Sequence, residues 1–126
     1  MTELPPFELG HPRTALRREL VDAVLRGDKT ATAGLLAEYE AEGEQTEPTG
    51  ARCALLGYDD EPVAVVEVTE SRVLPAAEID EQFARDEGEG FETVDDWREA
   101  HERFFGRPIE PETQIVAVRF RVVERL

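Results

Sequence analysis

The segment Gly27-Asp28-Lys29-Thr30-Ala31-Thr32 brings one amine and two hydroxyls into a span too short to bury itself. A threonine hydroxyl is a poor nucleophile until a neighbouring base takes its proton. A lysine is that base only when burial leaves it neutral. Lys29 and Thr32 can therefore form a nucleophile–base pair, with Gly27 and Thr30 shaping the corner around them. A second chemistry suits the same residues. If Thr30 or Thr32 caps a helix starting near Ala33, free backbone N–H groups point into the corner and favour an anion. The plainer alternative makes Thr32 a helix cap and Lys29 a solvated loop charge.

A second cluster, Asp86-Glu87-Gly88-Glu89-Gly90, places three carboxylates in five residues. It could supply a general acid or base, with Glu87 or Glu89 orienting a Lys–Thr pair from across the fold. It could also hold a hard cation such as Mg²⁺ or Ca²⁺, although its spacing is not that of an EF-hand loop. As a structural element it is an acidic turn between helices. Further on, Trp97 and His101 stand four residues apart on one helical face with Arg98 beside them. That trio can stack on and hydrogen-bond a nucleobase, or it can simply pack as core. His11, between Gly10 and Pro12, reads as structural. Two histidines and one cysteine leave no zinc site of the usual ligand count.

Several elements must position these groups. The most secure is a helix from about Thr14 to Arg26, with Leu16, Leu20 and Val24 on one stripe and Val21 and Leu25 beside it. Thr14 caps its start and Gly27 sits just past its end. A second helix is predicted from Ala33 to Glu42 and a polar loop over 44–50. Strands follow at Ala51–Leu56 and Val63–Thr69, with Ser71–Leu74 extending or bending the second. Ile79 and Phe83 predict a short helix around 77–86. Thr93 and Asp96 form a capping-box pattern that opens a helix to Phe105, with Val94, Trp97, His101 and Phe104 or Phe105 on one face. In the last strand, Gln114–Val123, Val116, Val118, Phe120 and Val122 alternate with Arg119 and Arg121. The mixture predicts an α+β fold of one domain over residues 1–126, a small curved sheet or barrel with helices packed around it. No strand–helix–strand unit carries a glycine-rich phosphate turn, which argues against a dinucleotide fold.

Fourteen lysines and arginines against 29 aspartates and glutamates give a net charge of −15. Non-specific nucleic-acid binding draws its affinity from phosphate neutralisation, so general duplex coating is excluded. A nucleoside or a short single strand in a locally basic cleft is not. Residues 11–30 supply Arg13, Arg17, Arg18, Arg26 and Lys29 against Glu19, Asp22 and Asp28, whereas residues 78–96 carry nine carboxylates against Arg85 alone. Cys53 lies in an apolar run without an intrachain partner, as expected of a buried thiol in a reducing compartment. The first residues lack a basic start and an apolar stretch, and no apolar run approaches the ~20 residues of a membrane span. A soluble, cytoplasmic protein without a membrane partner is expected.

Taken together, the motifs resemble one family. Gly27 to Thr32 match the GxKxxT signature of the ASCH domain. Phe83-Ala84-Arg85-Asp86-Glu87-Gly88-Glu89-Gly90, followed by Trp97-Arg98-Glu99-Ala100-His101 and Phe104-Phe105, is similar to its second block. With Phe7-Glu8-Leu9-Gly10 the resemblance covers nearly the whole chain. It implies a PUA-like fold, a small β-barrel with flanking helices and a cleft between them, that binds RNA or nucleosides. Some members hydrolyse N4-acetylcytidine, and at least one is a ribonuclease.

Carried over by position, the functional residues of the amidohydrolase members fall on Lys29, Thr32 and Glu87. Gly27, Thr30, Glu89, Trp97, Arg98 and His101 line the implied substrate cleft. The short amidohydrolases have an arginine two residues after the motif threonine, where this chain has Gly34. Many longer members have an aspartate after EGEG, where it has Phe91. Three functions follow as expectations. The first is a nucleoside- or RNA-end-directed hydrolase of the N4-acylcytidine type that needs no cofactor. The second is a ribonuclease of short RNA, with a divalent metal as an option. The third is a non-catalytic RNA-binding module.

Overall fold

The computed structural model describes residues 4–126. Thr14 and Gly27 bracket helix α1 (Ala15–Arg26) as their chemistry dictates. The Thr14 side chain accepts from the Arg17 backbone N–H, and Gly27 takes a left-handed φ of 89°. Thr93 and Asp96 form the capping box of helix α4 (Val94–Phe105), which Gly106 ends. Between them lie two short helices, α2 (Leu36–Ala41) and α3 (Glu81–Asp86), the latter preceded by a single 3₁₀ turn at Ala76–Glu78.

Five strands, β1 (Pro6–Phe7), β2 (Ala31–Leu35), β3 (Arg52–Leu56), β4 (Pro62–Pro75) and β5 (Gln114–Arg125), form one sheet in the order β1-β3-β4-β5-β2. All neighbours run antiparallel except β1 and β3. The α+β architecture is the one expected, but the sheet does not close into a barrel. β1 pairs only with β3 and β2 only with β5, so both stand at open edges.

The alternation along β5 splits the interior in two. Val116, Val118 and Phe120 face α1 and pack with Phe7, Leu20 and Val24. Ile115 and Ala117 face the other way, against Phe83 and Ala84 of α3 and Trp97 of α4. Ser71–Leu74 continues β4, which bends at two register shifts against β5 and so runs from one core to the other.

One predicted element is corrected. The helix expected from Ala33 starts only at Leu36, because Ala31–Leu35 is the edge strand β2, paired residue by residue with Arg119–Ile115. The ladder satisfies the backbone of a stretch in which Thr32 and Gly34 are weak helix formers. Thr32 therefore caps no helix, and the anion corner built on a helix N-terminus is absent from this part of the chain.

Candidate functional site

The two sequence motifs are fastened to each other through their backbones. After α1, the Asp28 and Lys29 N–H groups both donate to the Ala23 carbonyl, and the Thr30 N–H donates to the Asp86 carbonyl, 2.8 Å away. Gly88, at φ +69°, presses so close that a Cβ there would stand 2.4 Å from the Asp28 carbonyl oxygen. Only glycine permits this approach. The contact delivers Glu87 and Glu89 to Lys29 across nearly sixty residues of chain.

Lys29 is 2% exposed, a rare environment for a lysine. Its Nζ donates to the Glu87 carbonyl oxygen at 3.1 Å and to Glu89 Oε2 at 3.2 Å, and lies 3.5 Å from Glu87 Oε1. The Glu87 carboxylate, 1% exposed, is held from every side. Trp97 Nε1–H donates to its Oε2, and His101 Nε2 lies 3.2 Å from its Oε1. His101 Nδ1 in turn lies 2.7 Å from the Trp97 carbonyl oxygen. Both ring nitrogens thus face acceptors, which both bonds satisfy only as a doubly protonated imidazolium. The Trp97 ring, stacked at 4.4 Å, adds its π face to that cation.

Electrostatics follow this geometry. Burial pushes the Glu87 carboxyl up, but the His101 hydrogen bond and charge, the Lys29 ammonium and the Trp97 N–H together hold it below its ordinary range. Burial opposes a charge on His101, yet Glu87 raises its pKa above that of a free histidine. Glu89 behaves differently: desolvation and the Glu87 charge outweigh Lys29 and leave its pKa raised. Glu87 is thus held toward its ionised form, whereas Glu89, with its side chain 24% exposed, gives up its proton less readily than a free carboxyl.

The network opens into a cavity of about 750 Å³ between β1, β2, α1 and α4. Lys29, Thr32, Glu87, Glu89 and His101 all line it, over a floor that includes Val116, Val118 and Cys53. Burial raises the Cys53 pKa and keeps that thiol neutral. Thr32 faces the same side of the sheet as Val118, its partner on β5. Among the described residues the Thr32 hydroxyl has no hydrogen-bond partner, and the Lys29 amine bonds to Glu87 and Glu89 rather than to it.

Four other predicted residues stand outside the cavity lining. Gly27 is the C-cap of α1, and Thr30 is exposed with its hydroxyl directed at the Asp86 carbonyl. Arg98 lies on the outer face of α4, paired with Asp95. Trp97 is fully buried, so it offers no face to a ligand and acts instead by fixing Glu87. The basic segment 11–30 is largely neutralised, with exposed Arg18 set over the Tyr58 ring. Arg13 pairs with Asp59 and Arg26 with Asp28, while Arg17 is wholly enclosed between Glu8 and Asp60. Sequence reasoning missed Tyr39 and Glu47, which also line the cavity and bond to each other at 3.1 Å. Their types carried no signal, since a tyrosine on a helix and a glutamate in an acidic loop are commonplace. Among the described residues, no three His, Cys, Asp or Glu side chains converge to hold a metal.

Comparison with known proteins places this arrangement in a family. The ASCH domain family model matches residues 9–124, nearly the whole chain. The chain belongs to the ASCH domain family. Two solved structures share its fold along almost its full length. Protein EF3133 from Enterococcus faecalis V583 is 29% identical with a TM-score of 0.86, over 99% of this chain and 79% of that one. The ASCH domain from Lactobacillus crispatus JV V101 is 26% identical with a TM-score of 0.82, over 98% and 82%. The hypothetical protein PH0355, 16% identical with a TM-score of 0.63 over 86% of this chain and 94% of that one, shares the fold alone. Among curated proteins none matches the sequence. As an ASCH domain the chain is a nucleic-acid-related domain. Among its described residues no helix is long and apolar enough to cross a membrane.

Proposed function

We propose that this ASCH protein is a hydrolase that removes an acyl group from an exocyclic nitrogen of a modified nucleoside, of the N4-acylcytidine type. The observation that carries it is the buried Lys29, held between Glu87 and Glu89 on the wall of a cavity that also exposes the unpartnered Thr32 hydroxyl. Substrate entry expels water and weakens the charge on Glu89, which takes one proton from Lys29. The neutral amine then accepts the Thr32 proton as Oγ1 attacks the amide carbonyl. Lys29 returns that proton to the leaving nitrogen as the C–N bond breaks, and a water hydrolyses the resulting ester. Glu87, itself held by Trp97 and His101, positions the lysine.

A ribonuclease or an RNA-binding module needs cations for phosphates. Seven glutamates line this cavity against one lysine, itself already paired, and of the arginines in residues 11–30, Arg13, Arg17 and Arg26 are occupied by carboxylates while Arg18 lies over the Tyr58 ring. Both alternatives therefore rank lower. The test is incubation with N4-acetylcytidine, following cytidine and acetate. Release by the wild type, a loss of at least 100-fold in Lys29→Ala and Thr32→Val, and a smaller loss in Glu89→Gln are expected. No release, or equal rates in wild type and Lys29→Ala, overturns the proposal.

A further inference from the structure

The amide chemistry proposed above uses the polar corner of the cavity, and the wall beside that corner is aromatic. His101, which holds Glu87, lies 5.8 Å from the Phe91 ring and 5.9 Å from the Phe105 ring, centroid to centroid. Phe105 meets Phe104 edge to face at 5.5 Å, and Phe104 stacks with His11 at 5.8 Å with the ring planes 18° apart. All five rings line the cavity. Each step is within the range of direct aromatic contact, so the run is unbroken from the Lys29 network, along the end of α4, to the opening segment.

Core packing does not account for the outer part of this run. Trp97 fills the core beneath it and is fully buried, whereas Phe91 and Phe105 are only partly covered, Phe104 is 44% exposed and His11 is exposed. A helix that only closed the core would carry a polar residue at position 104. Large apolar rings left uncovered side by side in a concave site are the lining expected for a flat, mostly apolar ligand. The opposite wall offers no such surface. There the Tyr39 ring packs over Gly34 and against the first core, and its hydroxyl is tied to Glu47. An amide placed at Lys29 and Thr32 has an acyl half and an amine half, and an acetyl group is too small to cover a run of rings. A ring that bears the amide nitrogen is not, and every nucleobase has a π face to stack.

We infer that the wall of Phe91, Phe105, Phe104 and His11 is the specificity subsite for the amine half of the substrate. It receives the planar aromatic ring that bears the amide nitrogen, so the protein selects aryl amides over alkyl amides of the same size. The inference rests on the amide-hydrolase reading for what sits at Lys29 and Thr32, but the preference for a flat ring is measurable without turnover.

Acetanilide and N-cyclohexylacetamide share one heavy-atom skeleton and one amide, the first with a flat aromatic ring, the second with a puckered saturated one. Size and amide being equal, stacking separates them. Calorimetric titration of the full chain is expected to show acetanilide bound at least about fivefold tighter, the lower end of what one stacked ring contributes. Phe91→Leu and Phe104→Leu keep an apolar side chain but lose the ring, and the ratio is expected to fall to within about twofold in one or both. Thermal melts matching wild type show that the variants are folded, and Phe104, being exposed, is the one whose loss the core does not feel. Failure of acetanilide to bind, equal affinity for the two probes in wild type, or an unchanged ratio in folded Phe104→Leu and Phe91→Leu overturns the inference. A flat-ring preference without acetate release from N4-acetylcytidine overturns the hydrolase reading and leaves the wall in its role. Acetate release without that preference does the reverse.

Discussion

Lys29 and Glu87, at most 2% exposed, hold opposite charges 3.5 Å apart beneath the cavity. Each would be costly to bury alone, and each is satisfied by the other together with His101, Trp97 and Glu89. Removing one partner strands the rest. Glu87→Gln should therefore lower the unfolding free energy by about 3–5 kcal/mol, measured by urea denaturation. Asp28→Asn, which breaks the exposed Arg26–Asp28 pair, should leave the curve nearly unmoved. Similar small losses in both variants would mean that the buried network is not under electrostatic tension.

The same network sets a pH dependence. His101 has a raised pKa in the fold, so its contribution is fully present below the unfolded value of about 6.5 and is lost as pH rises through the folded value. Glu87 has a depressed pKa, so its contribution is present above about 4.3 and is lost as pH falls through the folded value. Glu89, with its raised pKa, costs stability above that value and regains some on acidification, which blunts the acid limb. Thermal midpoints should be highest between about pH 4.5 and 6.5 and decline on the alkaline side. His101→Gln should flatten the alkaline decline. An alkaline limb of unchanged slope in that variant would assign the decline to other groups.

Gly88 and Gly90 both adopt left-handed backbone, but only Gly88 touches the lysine loop. A Cβ at Gly88 meets the Asp28 carbonyl at 2.4 Å and Lys29 Cα at 2.7 Å, while at Gly90 nothing lies within 4 Å. Gly90→Ala should cost only the left-handed penalty, about 1–2 kcal/mol. Gly88→Ala adds a backbone clash that must push Lys29 away from Glu87, so it should melt lower and lose any Lys29-dependent turnover. Equal melting temperatures in the two variants would show that the approach of the loops is dispensable.

How far the sequence reveals this arrangement depends on how local each cause is. Thr14 with Gly27 and Thr93 with Asp96 are caps written in neighbouring residues, so α1 and α4 are readable without a structure. The meeting of Lys29 with Glu87 was legible through the two motifs, each too weak alone. β2 was not, because Ala31–Leu35 is a strand by virtue of β5, eighty or more residues away. Trp97 read from its spacing as core more readily than as cleft, and only the family resemblance put it in the cleft; its full burial and its indole hydrogen bond to Glu87 decide for core. Glu47 was invisible, since only the folded chain brings it to Tyr39 on the cavity wall.

Arg17 shows the same limit in a form that can be measured. By composition it belonged to a basic stretch facing a ligand, yet it is wholly buried and tied to the Leu9, Gly10 and Gly57 carbonyls as well as to Glu8 and Asp60. Its planar fork holds the opening segment, which forms one wall of the cavity, against the β3–β4 turn. A lysine cannot reproduce five such contacts from one ammonium. Arg17→Lys should thus speed amide hydrogen exchange selectively over residues 7–11 and 57–61, with the α4 core protected as in wild type. Ligand affinity should fall with it, because the wall must be ordered before anything binds against it. If exchange in 7–11 stays at the wild-type rate, the segment is held by β1 pairing and Phe7 packing alone, and the guanidinium is only a buried charge satisfied in place.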